Sequence, residues 1–338
     1  MPARPSAGCV FVELSLFKNL IVFRIGEAWQ PDAQQLEDAL ANDLFAPCSP
    51  TQALAFGWAP PRGDEHGALI EIVGGQWLLK LAREQRLLPS SVVNDHVDTL
   101  AQRVEAETGR KPGKKLRRDL KDQALLDLLP QAFTKRSATR VWIDPTQRLL
   151  MVDAGSAGRA DEVTTMLVRA SSDLPLSLIN TAESPAACMA AWLADGTAPE
   201  GFQIERECEL KGHDDEKPVV RYARHPLDTD EVRQHLTAGK LPTRLALSWR
   251  ERVGFTLTDT MAIKKINFLD LALEGQTAGE GDDAFDADAA LATGLLSKMI
   301  PALIDGLGGE QAFGEAAAAA PAPALAPAAE AVEGEAPW

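Results

Sequence analysis

Apolar residues recur along this chain with two different spacings, and the places where the spacing changes divide it into parts. Phe17–Ile25 (FKNLIVFRI) is rich in β-formers and predicts a buried strand. Pro31 opens a short helix over Asp32–Asn42, with Leu36 and Leu40 one turn apart. Phe45–Pro61 contains four prolines and reads as irregular chain packed by Phe56 and Trp58. Ala68–Leu81 predicts a hairpin that turns at Gly74-Gly75. A helical spacing then takes over. Pro89, Ser90 and Ser91 supply a helix start, and Val93, Val97, Leu100 and Val104 form one stripe. Gly109, Pro112 and Gly113 end that helix, and a second runs from Lys114 to Leu129, where Pro130 stops it. Two such helices of about 16 residues each reach about 24 Å, so this part reads as a helical hairpin projecting from a β-containing body.

Strand patterns return at Val141–Ile143 and Leu149–Val152, on either side of the turn Asp144-Pro145-Thr146. A helix is expected over Arg159–Arg169 and another near Pro185–Ala194. Strands are expected at Phe202–Leu210 and Val219–Ala223, then a helix at Thr229–Ala238. Arg244–Trp249, Val253–Thr258 and Lys264–Phe268 follow as strands. Leu273–Asp288 holds six acids and no base and reads as an exposed linker before a last helix, Ala289–Leu307. Beyond Gly308 the chain is Ala, Pro, Gly and Glu with little to bury, and is expected to be disordered. The fold class is therefore α+β.

Charge changes this picture at one place. Gly109–Lys121 (GRKPGKKLRRDLK) carries seven basic residues against one acid, a local +6 on a chain of −15, leaving −21 on the other 325 residues. On a helical wheel Lys114, Arg117, Arg118 and Lys121 share one face, while Leu116 and Leu120 point the opposite way as anchors. Cations so grouped suit phosphates along a nucleic-acid backbone, a contact that is sequence-independent and salt-sensitive. An ordinary solvated helix face has the same pattern. Lys135, Arg136 and Arg140 extend the basic region to ten bases and three acids across Arg110–Arg140. Phe133, just past the apolar end Leu125, Leu126, Leu128 and Leu129, fits either a plug for a partner pocket or a local core residue.

Other features bound the chemistry. The pI near 4.8 argues against a general nucleic-acid coat while leaving room for a basic groove. Cys9, Cys48, Cys188 and Cys208 are scattered, without metal or disulfide-scaffold spacing, and imply a reducing cytoplasm. The first 15 residues read as an extension leading into a strand rather than a signal peptide, and no apolar run approaches a membrane span. Asp144 and Asp153, with Glu162 nearby, are the carboxylates a metal-dependent nuclease would need. His213-Asp214-Asp215 reads as an exposed loop, and His225 and His235 as surface residues. Gly155-Ser156-Ala157-Gly158 precedes a helix but lacks the length and lysine of a P-loop. No catalytic motif emerges, so no cofactor or metal is expected.

With these residues in hand, the chain resembles the RdgC family of recombination-associated proteins. The matching strings include Phe17-Lys18-Asn19-Leu20, Gly57-Trp58 with Pro60-Pro61, Leu128-Leu129-Pro130 with Ala132-Phe133, and Trp142-Ile143-Asp144. Met151-Val152-Asp153, Gly201-Phe202-Gln203, Glu209-Leu210-Lys211, Ala238-Gly239-Lys240 and Phe285-Asp286-Ala287-Asp288 follow in order, so the resemblance covers roughly Leu16 to Gly309. It implies a nucleoid-associated cytoplasmic protein that binds double-stranded DNA, and single-stranded DNA as well, with little sequence preference. It further implies a ring-shaped homodimer with a positive central hole, opposition to RecA-promoted strand exchange, and no membrane or enzymatic role. The parts expected from it are an extension (1–15), a central α+β domain (16–87 and 134–178), a helical tip (88–133), a base (179–308) and a tail (309–338). Candidate DNA contacts are Arg110, Lys111, Lys114, Lys115, Arg117, Arg118, Lys121, Lys135, Arg136, Arg221 and Arg224, the last beside His225 where relatives carry a basic–polar pair. Phe133, matching the family's tip-interface phenylalanine, and Leu129 are the candidate dimer contacts. The rival readings are a nuclease using Asp144 and Asp153, or a scaffold whose basic tip docks an acidic protein.

Overall fold

A computed structural model describes residues 16–64, 66–212, 216–274 and 282–311. The N-terminal extension, His213–Asp215, most of the acidic stretch before the last helix, and the chain after Gln311 lie outside these residues. In chain order, β1 (Leu20–Ile25) leads to α1 (Ala33–Leu40), whose N-cap Asp32 accepts the Gln35 amide at 3.0 Å. β2 (Leu54–Ala59) forms inside the proline-rich stretch expected to be irregular. Pro47, Pro50, Pro60 and Pro61 flank this strand rather than interrupt it, and β2 ends the strand order, where missing amide donors matter least. β3 (Glu71–Val73) and β4 (Gln76–Arg86) meet at Gly74-Gly75, with φ of 58° and 82°, as a primed hairpin turn requires.

The helical pair follows, α2 (Ser90–Thr108) and α3 (Lys114–Leu128), with Gly109 closing α2 in the left-handed region. β5 (Thr134–Asp144) and β6 (Leu149–Asp153) form the next hairpin, then α4 (Ala157–Ala170) and the short β7 (Leu176–Leu178). The remaining elements are α5 (Pro185–Asp195), β8 (Phe202–Lys211), β9 (Val219–Tyr222), α6 (Asp230–Thr237), β10 (Leu241–Trp249), β11 (Val253–Thr258), β12 (Ile263–Phe268), α7 (Asp270–Leu273) and α8 (Asp282–Gly306). α8 starts earlier than expected, taking in residues read as linker. Asp283 and Asp286 fall near its positive N-terminal end, where acids favour the helix.

All paired strands run antiparallel in one sheet of order β2-β4-β5-β6-β1-β12-β11-β10-β8-β9, with β3 on β4 and β7 on β1. Strand alternation sends side chains to two cores. Leu79 and Leu81 of β4 and Val141 and Ile143 of β5 face one core, which α1 and α4 cover. Their neighbours Leu78 and Trp142 face the other, continuous with the buried side of β10 and β11 and with α5 and α8. By length and composition α8 is apolar enough to cross a membrane. Here Ala292, Leu296, Met299, Ile300 and Leu303 of α8 are fully buried in that second core. The helical pair has a third, separate core of Val93, Val97, Leu100, Ala101, Leu120 and Ala124.

The chain from Gly309 to Gln311, expected to belong to the tail, is tied to the body. Ala182 donates to Gly309 O at 3.0 Å, Arg24 pairs with Glu310, and Gln311 donates to Asn180 O at 2.9 Å.

Candidate nucleic-acid interface

The α2–α3 pair displays most of the predicted cations. Leu120 and Ala124 bury one side of α3 against α2, which turns the opposite side to solvent. Leu116, expected as a second anchor, is exposed instead. Arg110, Lys111, Lys114, Lys115, Arg118 and Lys121 are all exposed and make no ion pair among the described residues. Arg117 differs, because it reaches across to Asp98 of α2 and pairs with it. A second clasp joins the helices where His96 Nε2 lies 3.4 Å from Asp127 Oδ2. Lys114 and Lys115 occupy the first turn of α3 with no acid beside them. Cations there oppose the partial positive charge of the helix end. The arrangement sacrifices helix stability and gains a dense positive surface that an anion would relieve.

Phe133 follows α3 and the single turn Leu129–Gln131, and is 85% exposed. Its backbone is fixed, since Leu87 donates to Phe133 O at 2.8 Å and Arg86 donates to Ala132 O at 3.2 Å. Beside it runs an apolar groove of about 750 Å³ lined by Leu87, Leu88, Pro89, Leu125, Leu126 and Leu129. Leu126 stands 62% exposed at this groove, whereas Leu129, named with Phe133 as a dimer contact, is buried at 7%.

Lys135 and Arg136 begin β5. Lys135 is exposed and without an ion pair among the described residues. Arg136 stacks over Phe45 and donates to Glu84 Oε2 at 2.5 Å. The hydrogen bond from Arg136 and a second from the Cys48 amide hold the Glu84 carboxyl below its ordinary range. Arg140 donates to Leu16 O at 3.0 Å, and burial together with Arg140 lowers the Lys80 ammonium opposite it.

Arg221 and Arg224 lie elsewhere, on and beyond β9. Arg221 pairs with Glu209 at 2.6 Å, and Arg244 approaches the same carboxylate at 4.0 Å. Arg224 is exposed with φ of 54°, an uncommon conformation for a side-chain-bearing residue. It lines a groove of about 510 Å³ on the solvent side of β10 and β11, floored by Ser248, Gly254 and Thr256. Arg206 and Lys265 line the same groove, and both escaped the sequence reading. Lys265 is also at positive φ (52°), where β11 and β12 slip register, and nothing in the sequence marks such a bulge. His225 contacts the Pro226 carbonyl at 2.6 Å and packs beside the Tyr222 ring.

The carboxylates proposed for a nuclease do not converge. Asp144 pairs in register with Leu149, and Asp153 lies one position past the Val141–Val152 pair. They are thus four residues apart along the ladder, about 13 Å, too far to share a metal. Asp144 caps its own turn through the Thr146 and Gln147 amides at 3.0 and 2.9 Å. Asp153 accepts the Lys18 and Asn19 amides at 3.2 and 2.8 Å, and burial pushes its carboxyl up. Glu162 pairs with Arg159 at 3.0 Å on its own helix. Among the described residues no group of three metal-ligating side chains comes together. Burial pushes the Cys208 thiol up to about 12 and the Cys188 thiol up to about 11, which disfavours the thiolate at both.

Comparison with known proteins bears out the resemblance. A family model described as "Putative exonuclease, RdgC" matches residues 16–310. The Recombination-associated protein RdgC of Dechloromonas aromatica is 45% identical over 299 residues, 87% of this chain and 98% of that protein. The protein of the same name from Cupriavidus pinatubonensis is 44% identical over 297 residues, covering 87% and 99%. That from Bordetella pertussis is 39% identical over 297 residues with the same coverage. With the match running almost from the first described residue to the last, this chain belongs to the RdgC family.

Proposed function

We propose that this protein acts in recombination as a non-enzymatic, sequence-nonspecific DNA-binding protein that closes around duplex DNA as a homodimeric ring and limits RecA-promoted strand exchange. The observation that carries the reading is the exposed cation set on α3 and its approach, six side chains that make no ion pair among the described residues, on an otherwise acidic chain. Such a surface holds phosphates and releases counterions, while the acidic remainder discourages wrapping on the DNA. Phe133 and the apolar groove beside it suit a two-fold contact in which each subunit's ring enters the other's groove. Removing an aromatic side chain from water in this way is worth about 1.5–3 kcal/mol. Closure, rather than base reading, supplies retention, and the protein works at the nucleoid.

Gel shifts with unrelated duplexes and with single strands, repeated across a salt series, test the reading. Binding should vary little with sequence and fall steeply with salt. The triple change K114E/R118E/K121E should abolish it at moderate salt and leave the fold intact, because all three side chains are exposed. In a strand-exchange reaction the unaltered protein should block RecA and the triple variant should not. Incubating end-labelled linear DNA with Mg²⁺ or Mn²⁺ addresses the exonuclease in the family description. The separation of Asp144 from Asp153 predicts intact DNA.

A further inference from the structure

We infer that the cationic face of α3 is also the docking surface for this chain's own acidic C-terminal segment, Glu330–Glu335, which competes there with polyanions. Three observations converge on this. First, α3 holds more positive charge than its own fold neutralises. Lys114, Lys115, Arg118 and Lys121 lack acidic partners among the described residues, and the two lysines sit at the adverse end of the helix. Second, the 27 residues after Gln311 contain four acids and no base, and three of the acids (Glu330, Glu333, Glu335) fall within six residues. Ahead of them Ala316–Ala329 is an uncharged spacer of alanine, three prolines and one leucine, which sets the acidic cluster apart from the body.

Third, the attachment point leaves α3 within reach. The Arg24–Glu310 pair and the Gln311–Asn180 hydrogen bond fix where this segment departs, beside the β5–β6 turn, whose Gln147 carbonyl accepts from the same Arg24. The path along the eleven-residue β5 and two turns of α3 bounds the distance from that turn to the middle of α3 at about 47 Å or less. The 19 residues from Gln311 to Glu330 give a maximum reach of about 65 Å. A tether that reaches the surface makes docking intramolecular, so a few weak ion pairs can compete there. Anions that bind the surface strongly displace the segment, and weakly bound ones do not.

The competition half of this inference rests on the DNA-binding reading, and the docking half does not. A labelled peptide of residues 328–338 is titrated, without DNA, against the protein ended at Gln311, with fluorescence anisotropy as the readout. Saturable binding at low salt is expected, lost in the K114E/R118E/K121E background. Binding that survives those charge reversals, or no binding at all, overturns the proposal whether or not the protein binds DNA. In the second arm the protein ended at Gln311 and the full-length E330Q/E333Q/E335Q variant should both bind duplex DNA about three- to tenfold more tightly than the unaltered chain at low salt. The gain should disappear as salt rises. Equal affinities for all three proteins overturn it.

Discussion

Arg136 Nε lies 2.5 Å from Glu84 Oε2 across the β4–β5 ladder, joining an arginine side chain that is 66% exposed to a carboxylate that is 3% exposed. The two residues are direct register partners, so the pair is a cross-strand ion pair with one end in the protein. The Cys48 amide donates to the other carboxylate oxygen at 2.9 Å. Glu84 therefore needs Arg136, and a phosphate recruiting Arg136 has to compete with it. Of the basic residues at the start of β5, Lys135 is the freer to meet an anion.

This pairing sets a pH dependence. The Arg136 hydrogen bond, then that of Cys48, lowers the Glu84 carboxyl from its ordinary 4.5. A carboxyl lowered on folding binds fewer protons when folded, so it contributes stability above that ordinary value. The contribution fades as pH falls through the lowered one. Glu84→Gln should reduce stability at pH 7 and flatten the loss between pH 5 and pH 3. Urea midpoints across that range check it, and parallel curves for the two proteins would contradict it.

Arg117 and Arg118 are neighbours in sequence with different structural positions. Arg117 closes the α2–α3 pair through Asp98, whereas Arg118 has no such partner among the described residues. Arg118→Ala should lower the salt slope of DNA binding by about 0.9 if it holds one phosphate. Arg117→Ala should change that slope less. Its cost to stability should be small, about 0.2–1 kcal/mol, because the pair is exposed. Slopes from a salt titration of each variant decide between them.

The elements that were readable from the sequence are those whose signals are local. Gly74-Gly75, Asp144-Pro145 and the valine–leucine stripe of α2 each specify a turn or helix without reference to distant chain. The first half of β5, Thr134–Arg140, was not readable as a strand. It pairs with β4 alone, while β6 meets β5 only from Val141 onward, and a strand with one open edge tolerates a polar sequence. The α3 cations were evident as a charge cluster. That Arg117 is engaged by Asp98, Arg136 by Glu84 and Arg221 by Glu209 depends on partners up to 52 residues away. The groove holding Arg206, Arg224 and Lys265 is assembled by strand order, which no local pattern encodes.

Gly57 sits at a point of close approach. The segment Leu44–Phe45 crosses β2, with Phe45 donating to Trp58 O at 2.9 Å, and a Cβ on Gly57 would overlap the Phe45 backbone. Backbone gives way less readily than a side chain, so Gly57→Ala should destabilise the protein by about 1–3 kcal/mol. Phe45 would shift with it, loosening the ring under Arg136. A thermal midpoint equal to that of the unaltered protein would show that the segment moves aside freely.

Phe133 and Leu129 stand at opposite extremes of exposure, 85% and 7%. With the Phe133 side chain so exposed, Phe133→Ala should leave the stability of the fold within about 0.5 kcal/mol. If the ring seats in the partner's groove, the same change should weaken dimerisation about tenfold to a hundredfold. Leu129 is buried where α3 ends and floors the groove from within. Leu129→Ala should cost the fold about 2–5 kcal/mol, and its effect on dimerisation should follow from that loss. Sedimentation equilibrium for association and urea unfolding for stability resolve the two contributions. An unchanged dimer constant for Phe133→Ala would assign the exposed ring no part in assembly, leaving the groove beside it for another occupant.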